Sequence, residues 1–258
     1  MSSNVVPFER LILETRPQFE RVAESHGAVR FLQECEHALA LLAAKPRLAE
    51  AARKNPQSLK SAIVDVAQVG LTLAPAAKHA HLVPRDGRVC LDIGYQGLLH
   101  LGEDSGAIKT ATPVLVHDGD TFKFMGVNRA PEHFFDPLAP LSDRGLFRGG
   151  YTLTITPAED CLVDFMPLRD ILWIRDRTES YRAWLRDKSI ACAWESDFFE
   201  MCKKTLIRRA WKSWPRGKRP QRLDHAIEIS NQMMASCLPP RTAGAPPGAT
   251  PLKRFEHF

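Results

Sequence analysis

The six cysteines, Cys35, Cys90, Cys161, Cys192, Cys202 and Cys237, include no Cys-x-x-Cys pair. That absence speaks against a zinc ribbon or a disulfide framework and fits reduced thiols in a cytoplasmic protein. The start, MSSNVVPFER, shows no basic-then-apolar leader. No apolar run approaches the ~18 residues that a spanning helix needs, so no membrane contact is expected. A Gly-x-x-x-x-Gly-Lys-Ser/Thr loop is missing, which removes the phosphate cradle of an ATP-driven motor. Nowhere is a carboxylate followed two positions later by lysine, an arrangement found in many metal-dependent nucleases. No Ser/His/Asp or Cys/His arrangement declares itself.

What is there fits an ordinary globular chain. It has 258 residues, 44% hydrophobic and 25% charged, enough for one large domain or a domain with a small appendage. A net charge of +5 permits a polyanionic partner without demanding one.

The elements alternate in period. Phe31, Cys35, Ala38, Leu39 and Leu42 recur at helical spacing, and Pro46 breaks that run. A second helix is punctuated by Asn55 as N-cap, Pro56 in its first turn and Gly70 as C-terminal cap. The period then shortens. KHAHLVP and RVCLDIGY read as strands around an Asp-Gly turn, and QGLLHLGEDSG as a short helix. ATPVLVHDGDTFKF reads as a second hairpin turning at Asp118-Gly119, and GGYTLTIT with CLVDFMP as a third strand pair. PLRDILWIRDR, the run from Ser196 to Trp214, and RLDHAIEISNQMMAS read as helices. The order is α, then a β-rich centre, then α. It predicts an α+β fold with a small, mostly antiparallel sheet of hairpins packed with helices. The expected divisions are a helical segment at 1–54, a core at 55–215, a basic linker and helix at 216–238, and a disordered tail at 239–258.

One stretch stands out chemically. CKKTLIRRAWKSW, from Cys202 to Trp214, holds five cations and no acid. Lys203, Lys204, Arg208, Arg209 and Lys212 are followed by Arg216, Lys218 and Arg219. Lys204, Arg208 and Lys212 lie four apart and share one face; Phe198, Cys202, Leu206 and Ala210 form an apolar stripe about half a turn away. A solvated face is the bland reading. Yet like charges four apart cost ~0.2–0.5 kcal/mol per pair, and a nucleic-acid backbone is the common partner for such a row. Trp211 and Trp214 suit a core better than base stacking.

Several stretches occur together and in order: AHLVP at 80–84, GYQGL at 94–98, IRDRTES at 174–180 and WESDFFEMCKKTLIRRAWKSWP at 194–215. HDGDTFKF follows GYQGL as a hairpin. From about Asn55 to Pro215 the chain resembles the RecT family of phage-type single-strand annealing proteins. The resemblance implies a β-sheet core packed on helices, like that of the phage lambda Red annealing protein. It implies binding of single-stranded DNA in a basic groove across adjacent subunits, assembly into a ring or helical filament, and annealing of complementary strands without ATP. The annealed duplex and a phage exonuclease are the further partners. No cofactor is required, and Mg²⁺ enters only as an aid to assembly on DNA.

Annealing needs cations that grip phosphate while leaving base edges free. The candidate donors are Lys203, Lys204, Arg208, Arg209 and Lys212 on the basic helix, Arg175 and Arg177 at a helix end, and Lys109 at a strand start. Arg85 and Arg88 flank the first turn; a solvated turn is their plain alternative. Tyr95 and Gln96 sit where strand becomes helix, placed to stack on a base and to donate to phosphate. Gly94 and Gly97 around them also suit tight packing. His79 and His81 alternate like a metal pair but lack a third ligand. Asp118 and Asp120 fit a turn better than Mg²⁺. The rival reading is a metal-dependent nuclease acting on DNA ends. A groove-reading regulator and a purely structural component are less well matched to the three hairpins and the basic row.

Overall fold

The computed structural model describes residues 6–215, 217 and 220–235. The expected tail at 239–258, and Arg216, Lys218 and Arg219 of the basic run, lie outside the described residues. The chain opens with helices α1 (Val6–Leu13), α2 (Arg16–Ala23), α3 (Phe31–Ala44), α4 (Pro46–Lys54) and α5 (Pro56–Val69). Pro46 separates α3 from α4, as expected. On α5, the Asn55 side chain accepts the Ser58 N–H at 3.0 Å, and Gly70 ends the helix at a φ of 63°.

Strands β1 (Ala80–Arg85) and β2 (Arg88–Ile93) pair antiparallel. Asp86 and Gly87 both have positive φ, 49° and 70°, the two-residue turn whose twist matches the strands. The pleat sorts the hairpin into two faces. Ala80, Leu82, Val89, Leu91 and Ile93 are buried; His81, Val83, Arg85, Arg88, Cys90 and Asp92 lie on the other face. The buried residues pack on α4, α5 and α11 (Pro220–Ala235). Helix α6 (Tyr95–Asp104) follows directly.

The strands β3 (Thr110–His117), β4 (Thr121–Lys123), β5 (Glu132–Phe134), β6 (Phe147–Ile155) and β7 (Cys161–Pro167) form two further sheets. One has the order β3-β6-β7 and the other pairs β4 with β5, all antiparallel. The β6–β7 pair matches expectation. The second hairpin does not: β3 and β4 are not partners. Gly119 never enters the left-handed region; instead its N–H bonds the Arg144 carbonyl at 2.8 Å, and Asp118 N–H bonds Leu146. The neighbouring Asp120 is drawn into a long-range cluster. Its carboxylate accepts the His117 N–H at 2.8 Å and two bonds from Arg144, and meets His133 Nε2 at 2.9 Å.

The remaining helices are α7 (Leu168–Arg175), α8 (Glu179–Arg186), α9 (Ala193–Ser196) and α10 (Phe198–Ala210). The long basic helix is therefore shorter than expected. Asp197, with non-helical dihedrals, splits α9 from α10, and residues 211–213 tighten into a 3₁₀ turn. Helix α10 is the wall between two cores. Ile207, with Trp211 and Trp214 beyond it, joins the main core of α1–α6, the hairpin and α11. Cys202 and Leu206 join a second core with Ile171, Tyr181 and Trp194. Large apolar side chains buried in this way contribute on the order of 1.5–3 kcal/mol each. The buried Arg222 of α11 caps α5, donating to the carbonyls of Val69 and Gly70 at 2.8 and 2.9 Å. The architecture is α+β, with small antiparallel sheets packed with helices. Among the described residues no helix is long and apolar enough to cross a membrane.

Candidate nucleic-acid interface

The predicted apolar stripe of α10 is inside: Cys202, Leu206 and Ala210 are fully buried. Trp211 and Trp214 are core residues too, and Trp214 Nε1 donates to Thr154 Oγ1 at 3.2 Å. The opposing row does not run straight to solvent. Arg208 Nη2 donates to Asp92 Oδ1 at 2.9 Å and to the Ile93 carbonyl. Burial raises the Asp92 pKa, but the Arg208 charge and hydrogen bond outweigh it and hold the carboxyl below its usual range. Lys204, one turn earlier, is half-buried and has no ion pair among the described residues. Burial, then the Arg208 charge, pull its ammonium pKa down, with Asp92 acting the other way. Lys212 falls in the 3₁₀ turn and leaves the stripe, because that turn winds more tightly than α10.

Lys204 and Arg208 thus meet the outer face of the hairpin. There Arg85 stands opposite Arg88, and His81 opposite Asp92. From His81 to Arg85 the strand spans about 13 Å. Four cations, Arg85, Arg88, Lys204 and Arg208, line this track, with Asp92 at its α10 end and Asp86 in the turn at the other. Asp92 and His81 are the residues that the sequence reading missed as part of it. The alternation along β1 and β2 was the available signal, since it puts both on the face of Arg85 and Arg88.

Other predicted donors are spoken for locally. Lys203 pairs with Glu200 at 2.7 Å and Lys109 with Glu159 at 2.6 Å. Arg175 pairs with Asp176 at 2.8 Å and sits over the Tyr181 ring; Arg177 lies 3.3 Å from the centroid of the exposed Trp173. These last two belong to α7 and its C-terminal end, which packs on β6 and β7. Arg209 is exposed. Surface pairs of this kind contribute little, about 0–1 kcal/mol, and a polyanion can compete for them.

Tyr95 and Gln96 open α6 and are partly exposed. The glycines beside them serve packing. An ideal Cβ at Gly94 would lie 2.3 Å from the Lys78 carbonyl oxygen, and one at Gly97 would lie 2.3 Å from that of His79. Helix α6 therefore rides directly on the backbone that enters β1.

The RecT family model matches residues 34–219, from within α3 to just past the basic helix. The chain belongs to the RecT family. The family match reaches further toward the N-terminus than the quoted motifs, taking in most of α3 and all of α4. Protein RecT of Escherichia coli (strain K12) is 28% identical over 175 residues, covering 62% of this chain and 59% of that protein. The chain thus spans about three fifths of the length of this curated relative. In this RecT-family chain the matched region contains the hairpin and α10, the elements that build the cationic track, with GYQGL between them.

Proposed function

We propose that the chain binds single-stranded DNA through its phosphates and anneals complementary strands without hydrolysing a nucleotide. The observation that carries this reading is the track on the outer face of β1–β2, with Lys204 and Arg208 beside Asp92 at one end and Arg85 and Arg88 flanking the turn at the other. Membership of the RecT family supports it. A strand laid along the track exchanges its counterions for these side chains. Phosphate contacts leave base edges outward, available to a second strand. Copies of the chain set side by side, as a ring or filament, extend the track. The driving free energy is base pairing and counterion release, so no bond in the DNA need be made or broken. A phage exonuclease as neighbouring enzyme and a cytoplasmic setting belong to the same proposal.

The nuclease alternative needs carboxylates or histidines grouped around a metal. Among the described residues no three His, Cys, Asp or Glu side chains are so grouped. The test uses two complementary oligonucleotides carrying a fluorescence donor and acceptor, mixed with the full chain in EDTA without nucleotide. Faster energy transfer for complements alone supports annealing. Strand cleavage on adding Mg²⁺, without acceleration of pairing, would establish the nuclease instead.

A further inference from the structure

His79 and His81 are two apart in sequence and do different things. His79 precedes β1 and stacks on His100 of α6, with ring centroids 4.6 Å apart and planes 19° from parallel. His81 is on the outer face of β1, opposite Asp92, the carboxylate that Arg208 holds at 2.9 Å. The charges of Lys45, at the junction of α3 and α4, and of Lys204 and Arg208, on α10, all act on its ring. The imidazole, Lys204 and Arg208 therefore share one carboxylate, and Lys45 adds its charge at the imidazole. The Nε of Arg208 is buried and has no hydrogen-bond partner among the described residues. Lys204 and Arg208, both partly buried, oppose one another until an anion joins them, and an unpaired buried donor gains most from a new acceptor.

We propose that His81, Lys204 and Arg208, gathered around Asp92, with Lys45 beside His81, form an anion pocket for one backbone phosphodiester, and that His81 takes a proton from solvent as the phosphate enters. This rests on the DNA-binding reading above and adds to it two residues and a proton. The groups facing His81 are Asp92 from β2, Lys45 from the α3–α4 junction, and Lys204 and Arg208 from α10. In the free protein, burial first and then the three cations hold the imidazole pKa below its usual value, with Asp92 pulling the other way. A phosphate oxygen in the pocket favours the imidazolium, so the pKa is higher in the complex. Binding draws in a proton between those two values. Affinity strengthens as pH falls through that window and levels off outside it.

The test follows a fluorescent oligothymidine by anisotropy from about pH 5.5 to about pH 8.5 at fixed ionic strength, the range over which histidine titrates. For the native chain Kd is expected to rise with pH, by at most about tenfold per unit for one linked proton. His81→Gln should bind weakly with a flat profile. His81→Lys, charged throughout, should bind tightly with a flat profile and so rescue binding at high pH. Thermal melting checks that both variants fold. An oligonucleotide with uncharged methylphosphonate linkages should lose the pH dependence. Its survival there, or displacement of the DNA by inorganic phosphate at equal ionic strength, would overturn a backbone phosphodiester as the ligand. A native profile identical to that of His81→Gln overturns the pocket while leaving DNA binding intact. No binding at any pH would sink the DNA-binding reading itself.

Discussion

The Arg208 guanidinium crosses 116 positions of sequence to hold Asp92 Oδ1 at 2.9 Å, and its Nη2 also donates to the Ile93 carbonyl. It fastens α10 to the end of β2. The same side chain stands beside Lys204 at the head of the cationic track. Structural and recognition roles are therefore separable by substitution.

Lys204→Ala should weaken single-strand binding for all sequences alike and lower the salt slope by about 0.7 for the lost phosphate contact. It should leave the melting temperature close to native, because Lys204 holds no ion pair among the described residues. Arg208→Ala should weaken binding and also lower stability by about 1–2 kcal/mol, since Asp92 and the Ile93 carbonyl lose their donor in a site partly open to water. Anisotropy titrations in a salt series, beside denaturant unfolding, separate the two. Equal stability losses would mean that Lys204 is structural.

Gly97→Ala should destabilise the chain by about 1–3 kcal/mol, because the added methyl meets the His79 carbonyl and Leu71. Gln96→Ala should leave stability unchanged, since the Gln96 side chain is partly exposed on the first turn of α6. Thermal denaturation of the two variants decides between packing and DNA contact within GYQGL.

Asp120→Asn should cost about 3 kcal/mol, because it removes the charge that Arg144 and His133 are gathered around. Burial raises the Asp120 pKa, but hydrogen bonds from Arg144, the His117 N–H and His133 hold it far below the usual range. A depressed folded-state pKa stabilises the protein above the unfolded value of about 3.9 and is lost as pH falls below it. Unfolding titrations between about pH 5 and about pH 2 should therefore show a steeper loss for the native chain than for Asp120→Asn.

Of the five tryptophans, Trp194, Trp211 and Trp214 are buried, Trp184 is partly buried with Lys188 over its ring, and Trp173 is half exposed under Arg177. Trp173→Phe should remove most of the emission that iodide quenches. Undiminished quenching would assign the accessible emission to Trp184 instead.

Local signals carried much of the fold. The Asp-Gly turn of β1–β2 needs two left-handed residues, and Asp86 and Gly87 provide them. Asn55 and Gly70 bound α5 for reasons contained in a single turn. The HDGD stretch has the same local look but another outcome. Asp120 is claimed by Arg144 and His133, contacts between distant segments that no spacing announces. The site divides the same way. Helical spacing gave the row on α10 and its buried stripe. It could not reveal that Asp92 neutralises part of that row or that His81 faces it. The 3₁₀ turn that removes Lys212 from the row comes from packing Trp211 and Trp214 into the core.

The pleat of β1–β2 divides labour by residue parity. Ala80, Leu82, Val89, Leu91 and Ile93 are committed to the core, while their immediate neighbours in sequence are not. On the proposed reading, natural variation or an engineer can therefore regrade affinity at His81, Arg85 and Arg88 in small steps, one side chain at a time, while Asp92 is also tied to Arg208. The inner residues offer no such freedom. Adjacent codons in this hairpin are thus expected to evolve under different regimes, the outer ones apart from Asp92 free to vary and their neighbours fixed by the fold.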